Sequence, residues 1–558
     1  MPAVSQTQSW LSRLTFAFLL ILLFGYILFP IIQTVAVSLT GTGSLSFDNY
    51  IRLVRVDALR TPLTNSMILG GLTVLVCGIV GTFLAFFIHF FQFPGKPVMD
   101  KLLLLPMMLP GIIIVFSFVQ LYGESGLVTK TIQILFGLEN PPFDFSGLPG
   151  ILFVHAYTQY VYFYISVSIA IRHIDVSVIE SAQNLGASRF VVFKTIVLPF
   201  ILPALVASSL ITFMSGIGSF TAPSIIGQGF KVLTTQILLS KANNYMEVAA
   251  TQVTALTIIC LFAFALFRWY EKKVRFDSSV KGVPFQPVRI ENRLVKLLLV
   301  VFAWGVILMV LLPVAAIMFL SFVPSETWMV KIYPDQFSWQ NFVDIFTRSR
   351  KFSPFFNSIF MALIAAFAGM VIALPASYFI VKTKLRFKWF LEMMCMLPWA
   401  MPASAIAINL INGFNHKTIF SFNHILVGTS ILLPVGYILK SLPIMVKTFN
   451  LSLGGLSDNY IEASQSLGAR PLQTLKRVVF PLLAPGILAG FLLVFIRSIG
   501  EYTVTVFLYT VSNKPVSIAM VNAIFEYNIG LAMAYGTLLI IISVVSSFAI
   551  TKIAVASL

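Results

Sequence analysis

Two ionisable side chains interrupt a long apolar stretch near the end of the sequence. Arg497 and Glu501 lie four residues apart, a spacing that places both on one face of a helix. Ionisable groups within a membrane are costly and usually face a bundle interior or an aqueous cavity. Both are therefore candidate contacts for a polar solute, and the alternative is a mutually neutralised pair that orders a helix. Ser215 and Ser219 occupy the corresponding places in an earlier, similar segment, which makes Ser219 a third candidate.

The other reactive residue types do not form a catalytic or metal-binding pattern. The five histidines lack ligand spacing to one another, to cysteine or to a carboxylate, and the three cysteines lie far apart in apolar segments without a C-x-x-C pair. A phosphate-binding G-x-x-x-x-G-K-[ST] sequence is also missing. We therefore predict no catalytic residue, no metal ligand and no cofactor in this chain.

Composition places the chain in a membrane. Of its 558 residues, 58% are hydrophobic and 10% are charged, against roughly 25% charged in a soluble domain. The mean hydropathy is +0.93. The net charge of +17 would suggest nucleic acid in a soluble protein, but membrane proteins carry excess Lys and Arg in cytoplasmic loops.

Apolar runs of about 20 residues match a bilayer core of about 30 Å and predict an all-α polytopic membrane protein with about 12 transmembrane helices. The predicted spans are 14–36, 66–91, 102–122, 150–171, 200–220, 249–268, 295–321, 357–381, 389–412, 424–446, 482–505 and 531–553. The first is too long for a secretory signal peptide and is predicted to remain uncleaved. With cytoplasmic termini, the inner loops carry about twice as many Lys and Arg as the outer loops.

The chain repeats itself. Asn65-Ser66 matches Asn357-Ser358 at an offset of 292, as do the Leu-Pro pairs at 105 and 397, and later matches share an offset of 282. An offset this long indicates a duplication rather than a solenoid repeat. We predict a first domain over 1–275, a basic cytoplasmic linker over 276–293 and a second domain over 294–558. The linker region either anchors the topology or binds lipid, and the parallel copies imply a symmetry axis along the membrane normal.

A short loop pattern occurs once in each half, between the fourth and fifth spans. In the first half Ser177 precedes Glu180 by three residues, as in a capping box, and Gly186 follows at a helix end. Asn459, Glu462 and Gly468 repeat this arrangement. Pro199 and Pro481 mark the entry to the next span. The pattern predicts a helix–glycine–helix elbow outside the membrane, which either docks on another protein or merely connects two spans.

These loops resemble the EAA loop of bacterial ABC importer permeases. The first copy has Glu180, Ala182, Gly186 and an I-x-L-P tail. The second has Glu462, Ala463 and Gly468 but departs from the tail pattern at Val478 and Phe480.

The resemblance spans essentially the whole chain, and it implies two homologous six-helix type I importer permease domains in a bacterial inner membrane. It further implies that the loops dock on two copies of a cytoplasmic ATP-binding subunit, which bind the ATP. An extracytoplasmic solute-binding protein would deliver the cargo.

The resemblance indicates the cargo less specifically than it indicates the class of protein. The segments 218–223 and 233–236 resemble those of fused permeases for ferric iron, thiamine, aminoethylphosphonate and polyamines, and they are most similar to the iron-type members.

Other functions stay open. A twelve-span secondary transporter of the facilitator type fits the six-plus-six layout, but the loop over 92–101 lacks the expected Gly/Asp/Arg-rich motif. A passive channel or scaffold would leave the duplicated elbows unexplained.

Overall fold

The computed structural model describes residues 10–40, 45–273, 288–289, 292–324 and 333–556. These residues are almost entirely helical, which confirms the predicted all-α polytopic class. Two short strands, β1 (Phe91–Gln92) and β2 (Val288–Arg289), pair in parallel. The strand β2 lies in the predicted linker 276–293, most of which is outside the described residues.

The helices of the first half alternate between long apolar rods and short connecting helices. They are α1 (Trp10–Leu23), α2 (Phe29–Leu39), α3 (Asp48–Arg55), α4 (Asp57–Phe90), α5 (Lys96–Leu102), α6 (Leu105–Met108), α7 (Gly111–Tyr122), α8 (Leu127–Leu135), α9 (Gly147–Arg172), α10 (Val176–Asn184), α11 (Arg189–Val192), α12 (Leu198–Ile217), α13 (Thr221–Ile226), α14 (Leu233–Ala242) and α15 (Met246–Lys273). Single π turns over Phe24–Leu28 and Phe193–Val197 join α1 to α2 and α11 to α12.

The second half follows the same order. Its helices are α16 (Arg293–Leu320), α17 (Gln340–Thr347), α18 (Ser349–Lys382), α19 (Lys388–Met396), α20 (Ala403–Phe414), α21 (Leu432–Gly455), α22 (Asp458–Ser466), α23 (Pro471–Thr474), α24 (Phe480–Ile499), α25 (Thr503–Leu508), α26 (Val516–Phe525) and α27 (Ile529–Ala556). A π turn over Leu475–Val479 joins α23 to α24, and short 3₁₀ turns lie at Leu397–Ala400, Ile419–Ser421 and Val511–Asn513.

The described residues contain ten helices that are long and apolar enough to cross a membrane, or eleven if one bent pair counts as a single span. This is close to the predicted number of about 12. The predicted fourth span is present as α9, a 26-residue helix. Polar side chains such as His155 and Gln159 make that helix less apolar than the others.

Two predicted spans are broken where prolines recur in both halves. The predicted ninth span divides into Lys388–Ala400 and Ala403–Phe414, bent by 114°, and Pro402 between them is extended at ψ 148°. In the first half Pro110 has ψ 131° and precedes α7 in the same way. Proline lacks the N–H that would continue a helix, and its ring clashes with the preceding turn. The predicted third and ninth spans are therefore each interrupted rather than formed by one continuous helix.

The tenth predicted span is shifted. We predicted it at 424–446, but α21 starts at Leu432 and ends at Gly455. Gly428 has φ +83°, a left-handed conformation that ends regular helix geometry, and the preceding residues form loop and 3₁₀ structure. Hydropathy alone does not register this break, because the residues around it are apolar.

The described chain folds into two compact units that do not follow the chain order. One, here the second-half unit, holds the described residues of 1–51, 237–257 and 338–558; the other, the first-half unit, holds 52–236 and those of 258–337. Each half therefore contributes its first span to the unit built mainly by the other half. The predicted boundaries at 275 and 294 concern the repeat along the chain and stay a prediction.

Aromatic contacts secure these exchanged spans. In the second-half unit the rings of Phe16 in α1 and Phe379 in α18 meet edge to face, with centroids 5.3 Å apart. In the first-half unit Phe302 of α16 packs on Phe87 of α4 at 4.9 Å. Such aromatic pairs add about 0.5–1.5 kcal/mol to the burial of their area. Small residues let other helices approach closely: a Cβ at Gly81 of α4 would lie 2.4 Å from the carbonyl oxygen of Tyr160 in α9.

The repeated Asn-Ser pair has the same role in both units. Asn65 donates its side-chain amide to the carbonyl of Lys231 at 2.9 Å, and Asn357 donates to that of Lys514 at 3.1 Å. The hydroxyls of Ser66 and Ser358 accept the backbone N–H groups of Leu233 and Val516, each at 2.8 Å. These N–H groups lie at the first residues of α14 and α26, where backbone donors lack intrahelical partners. The Asn-Ser pair therefore fixes α14 on α4 and α26 on α18.

Candidate functional site

The two predicted elbows are present, but their helices begin earlier than predicted. Asp175 caps α10 by accepting the N–H of Ser177 at 3.0 Å. Ser457 caps α22 by accepting the N–H of Asn459 at 3.3 Å. The predicted N-caps Ser177 and Asn459 are therefore wrong by two residues. The capping box with Glu180 does not form, since a carboxylate at that position no longer faces the cap.

The glycines end these helices as their spacing predicts. Gly186 has φ +87° and Gly468 has φ +83°, a region that favours glycine. In the first elbow the N–H groups of residues 186 and 187 return to the carbonyls of Gln183 and Ala182 at 2.9 and 3.0 Å. The second elbow repeats both bonds at 2.9 and 3.1 Å. This pairing is the Schellman motif, and it turns the chain sharply without leaving carbonyls unsatisfied.

Neither elbow helix buries a residue. Leu185 and Leu467, which immediately precede the two glycines, are each 89% exposed. Val178 and Tyr460, seven residues earlier in their respective helices, are also exposed and lie on the same helix face. Glu180 and Glu462 are exposed as well. Each elbow thus presents an apolar ridge, formed by Val178 and Leu185 or by Tyr460 and Leu467, beside an acidic side chain.

The exit from each elbow is a π turn. The turns cover Phe193–Val197 and Leu475–Val479, positions that differ by the repeat offset. In the first, the N–H of Leu198 reaches back to the carbonyl of Phe193. The wider π turn accommodates Pro199 or Pro481, which follows it, because proline has no N–H to donate to the helical hydrogen bonds. The elbow is consequently continuous in its backbone with α12 or α24.

The second elbow has tethers that the first cannot form in the same way. Lys382 at the end of α18 binds Asp458 at 2.7 Å and the carbonyl of Leu456 at 2.8 Å. Within the elbow the hydroxyls of Ser464 and Thr474 lie 3.0 Å apart. The corresponding first-half side chains are all apolar: Phe90, Val176, Ala182 and Val192.

The predicted Arg497–Glu501 pair does not form. The helix α24 ends at Ile499, so Glu501 lies beyond it and the two side chains do not share a helix face. The carboxylate of Glu501 instead binds the ammonium of Lys440 on α21. It also accepts the N–H groups of Val504 and Thr505 at 2.8 and 3.2 Å. Arg497 is exposed and has no ion-pair partner among the described residues.

Ser219 has a different environment in the first-half unit. Its hydroxyl lies 2.9 Å from Nε2 of His155, whose Nδ1 lies 2.8 Å from the hydroxyl of Thr73. His155 is buried, and the carbonyl of Ser219 accepts the hydroxyl of Thr234 at 2.6 Å. Ser219, the counterpart of Glu501 at the offset of 282, thus belongs to a neutral hydrogen-bonded chain, whereas Glu501 forms an ion pair.

Sequence reasoning missed Lys440 and the partners of His155. Lys440 lies inside the predicted tenth span, and a lysine there is itself a signal for an intramembrane charge. His155 likewise lies inside a predicted span, but its partners gave no signal, because Thr73 and Ser219 lie elsewhere in the chain and are common residue types in membrane spans.

The comparisons with known proteins agree on one class of protein. The model of the family described as "Binding-protein-dependent transport system inner membrane component" matches twice, over residues 77–276 and 365–557. The probable ABC transporter permease protein y4fN of Sinorhizobium fredii is 30% identical, over 92% of this chain and 90% of its own length.

Two further relatives carry the name of a cargo. The ferric transport system permease protein FbpB of Actinobacillus pleuropneumoniae is 24% identical, over 94% of this chain and 75% of its own length. The putative 2-aminoethylphosphonate transport system permease protein PhnU of Salmonella typhi is 26% identical, over 46% of this chain and 88% of its own length.

Proposed function

This chain belongs to the family of binding-protein-dependent transport system inner membrane components, and from that premise we propose that its two elbows couple solute import to ATP hydrolysis on separate subunits. The chain is a multi-pass inner-membrane permease of an ABC importer. One ATP-binding subunit docks on each elbow, so that the chain binds two copies and needs no nucleotide of its own.

The exposed leucines at the elbow tips carry this proposal. Leu185 and Leu467 are each 89% exposed, next to glycines that fix the turn. Burying a leucine side chain contributes about 1.5–3 kcal/mol. A partner surface that covers Leu185 and Leu467 would gain this energy at both elbows. The neighbouring carboxylates of Glu180 and Glu462 suit a basic rim on that partner.

The remaining partners follow from this arrangement. With the elbows and both termini on the cytoplasmic side, an extracytoplasmic solute-binding protein delivers cargo to the opposite face. The basic bias of the inner loops supports this orientation. ATP is bound by the partner subunits, and this chain itself is not an enzyme.

Ferric iron is the cargo that we propose. The relative from Actinobacillus that matches almost the whole chain is named for ferric transport. Thiamine, aminoethylphosphonate and polyamines are the other candidates, and the match of the Salmonella relative to 46% of this chain favours aminoethylphosphonate among them. Arg497, Glu501 and Ser219 remain the proposed pathway contacts.

The test is to place a charge on each tip. Leu185→Asp and Leu467→Asp should each reduce copurification of the ATP-binding subunit and ATP-dependent uptake at least tenfold, because a carboxylate is costly to bury in an apolar cleft. Val511→Asp is the matched control, since Val511 is 96% exposed but lies far from the elbows in sequence. Wild-type copurification and uptake in both tip variants would overturn the docking role. Uptake that persists without any ATP-binding subunit would favour the facilitator alternative.

A further inference from the structure

Three cations lie within membrane spans of the second-half unit and remain accessible on its surface. Lys440 and Lys447 are seven residues apart in α21 (Leu432–Gly455), so that they share one helix face about 10 Å apart. The side chain of Lys440 is 38% exposed although it binds Glu501. Lys447 is exposed, and so is Arg497 in the last turn of α24.

The positions of these cations are unfavourable for lipid contact. Lys440 lies near the middle of α21, and Lys447 lies about 12 Å before its end at 1.5 Å per residue, beyond the length of a lysine side chain. Arg497 lies two residues before the end of α24, and only three residues separate that end from the apolar helix α25. Charges at such places usually face an aqueous cavity. Glu501 neutralises Lys440, which leaves Lys447 and Arg497 without an ion-pair partner among the described residues.

The first-half unit has no charge at the matching positions. At the offset of 282 the counterparts of Lys440, Lys447 and Arg497 are Thr158, Ile165 and Ser215. The counterpart of Glu501 is Ser219, which lies in the neutral chain with His155. The three cations are thus a property of one half, added to a shared helical framework, and helix packing common to both halves does not require them.

From this asymmetry, and resting on the proposed import function, we propose that the cargo passes the second-half side of its pathway as an anion, guided by Lys440, Lys447 and Arg497. Lysine and arginine bind carboxylate and phosphate oxygens through charge-assisted hydrogen bonds. A ferric ion would accordingly pass with anionic ligands that outweigh its charge, and an organophosphonate would pass by itself. A free metal cation, thiamine or a polyamine would be repelled.

The experiment uses the whole chain reconstituted in proteoliposomes with its ATP-binding and solute-binding partners. The probes are ⁵⁵Fe³⁺ with excess citrate, radiolabelled 2-aminoethylphosphonate, and spermidine as the cation. Lys447→Gln and Arg497→Gln are compared singly and together with wild type. Lys384→Gln neutralises an exposed lysine between α18 and α19 and is the matched control. The charge-preserving pair Lys447→Arg and Arg497→Lys separates charge from packing.

We expect initial ATP-dependent uptake of one anionic probe to fall at least tenfold in the doubly neutralised variant. The control and the charge-preserving variant should stay within twofold of wild type, with unchanged association of the ATP-binding subunit. The probe that responds, ferric citrate or the phosphonate, identifies the source of the anion. Wild-type uptake in the doubly neutralised variant, or ATP-dependent import of spermidine by wild type, would overturn the proposal. Uptake that needs no ATP would instead contradict the import function on which it rests.

Discussion

Ser219 and Glu501 occupy corresponding places in the two halves, but Ser219 belongs to a neutral hydrogen-bonded chain with His155 and Thr73, whereas Glu501 forms an ion pair with Lys440. Both stand where a long helix stops and a short helix begins, at Ser219 in one half and at Glu501 in the other. In the first half two hydroxyls satisfy an imidazole; in the second a carboxylate satisfies an ammonium and a helix start. The duplication has kept the backbone break and changed its chemistry.

In the elbows, by contrast, the two halves agree in most features. Their helices, left-handed glycines, exposed leucines and π turns agree between the halves, and only the tethers of the second elbow differ. The parts that a partner would contact are therefore the ones held constant, whereas the membrane interior has diverged. This pattern is expected if two equal subunits dock below and a single solute passes a pathway whose two sides contribute differently.

The largest effect should come from the elbow glycines. Gly186→Val and Gly468→Val force a β-branched residue into φ near +85°, which costs of order 1–3 kcal/mol and reorients the tip. ATP-dependent uptake should fall at least 50-fold in either variant, while yield and elution on size exclusion stay normal. Asparagine tolerates this region, so Gly186→Asn and Gly468→Asn should retain much of the activity. A large loss in only one half would show that the elbows are not equivalent.

Removing the carboxylate of Glu501 should affect stability and transport together. Glu501→Gln leaves the ammonium of Lys440 unpaired within a span and should cost about 2–3 kcal/mol, allowing for the partial exposure of the lysine. Thermal denaturation in detergent would show the loss, and uptake should fall about tenfold with assembly preserved.

The pair Lys440→Thr and Glu501→Ser, which copies the first-half residues, tests the comparison directly. Recovery of thermal stability without recovery of uptake is expected. If uptake also returns, the ion pair is structural and Glu501 leaves the list of pathway contacts.

The matched asparagines should behave alike. Asn65→Ala and Asn357→Ala each remove one side-chain bond to a backbone carbonyl and should each cost about 1 kcal/mol. Denaturation midpoints of the two variants should agree within error, and the double variant should show the sum, since the two sites share no hydrogen-bond partner. A much larger loss of stability in one variant would mean that the Asn65 and Asn357 hydrogen bonds do not contribute equally to the two halves.

The smallest effect concerns pH at the helix α17. Burial raises the pKa of Asp344, but hydrogen bonds from Lys351 and Gln340 and the charges of Lys351 and Arg348 outweigh it, so that the pKa is lowered overall. A lowered pKa in the folded state gives stability that is present above the pKa of the unfolded chain. That stability is lost as the pH falls through the folded value.

Asp344→Asn should therefore lose some stability at neutral pH and show a weaker acid dependence than wild type in denaturation scans between pH 7 and pH 3. Arg52 takes the corresponding place in the first half, so this dependence is a second-half property. Identical acid profiles for variant and wild type would contradict it.

Local patterns in the sequence were sufficient to predict the repeated arrangement of spans and elbows. The hydropathy of the spans, the offset between the halves and the elbow with Gly186 and Gly468 were all predicted, because each depends on residues close together in the chain. Pro110 and Pro402 entered the sequence analysis only as matches between the halves, and the apolar runs around them led to one span being predicted at each place.

The tertiary structure decided which side chains meet. Whether Glu501 pairs with Arg497 four residues away or with Lys440 on another helix depends on where α24 ends and how α21 packs beside it, and neither is encoded in local spacing. The same holds for His155 and for the first spans, α1 and α16, each of which packs in the unit of the other half. The sequence by itself thus determined the class of protein and its duplicated elbows, since secondary structure and membrane insertion are local. The charge arrangement within the membrane was decided by long-range packing, which brings together residues that the sequence keeps far apart.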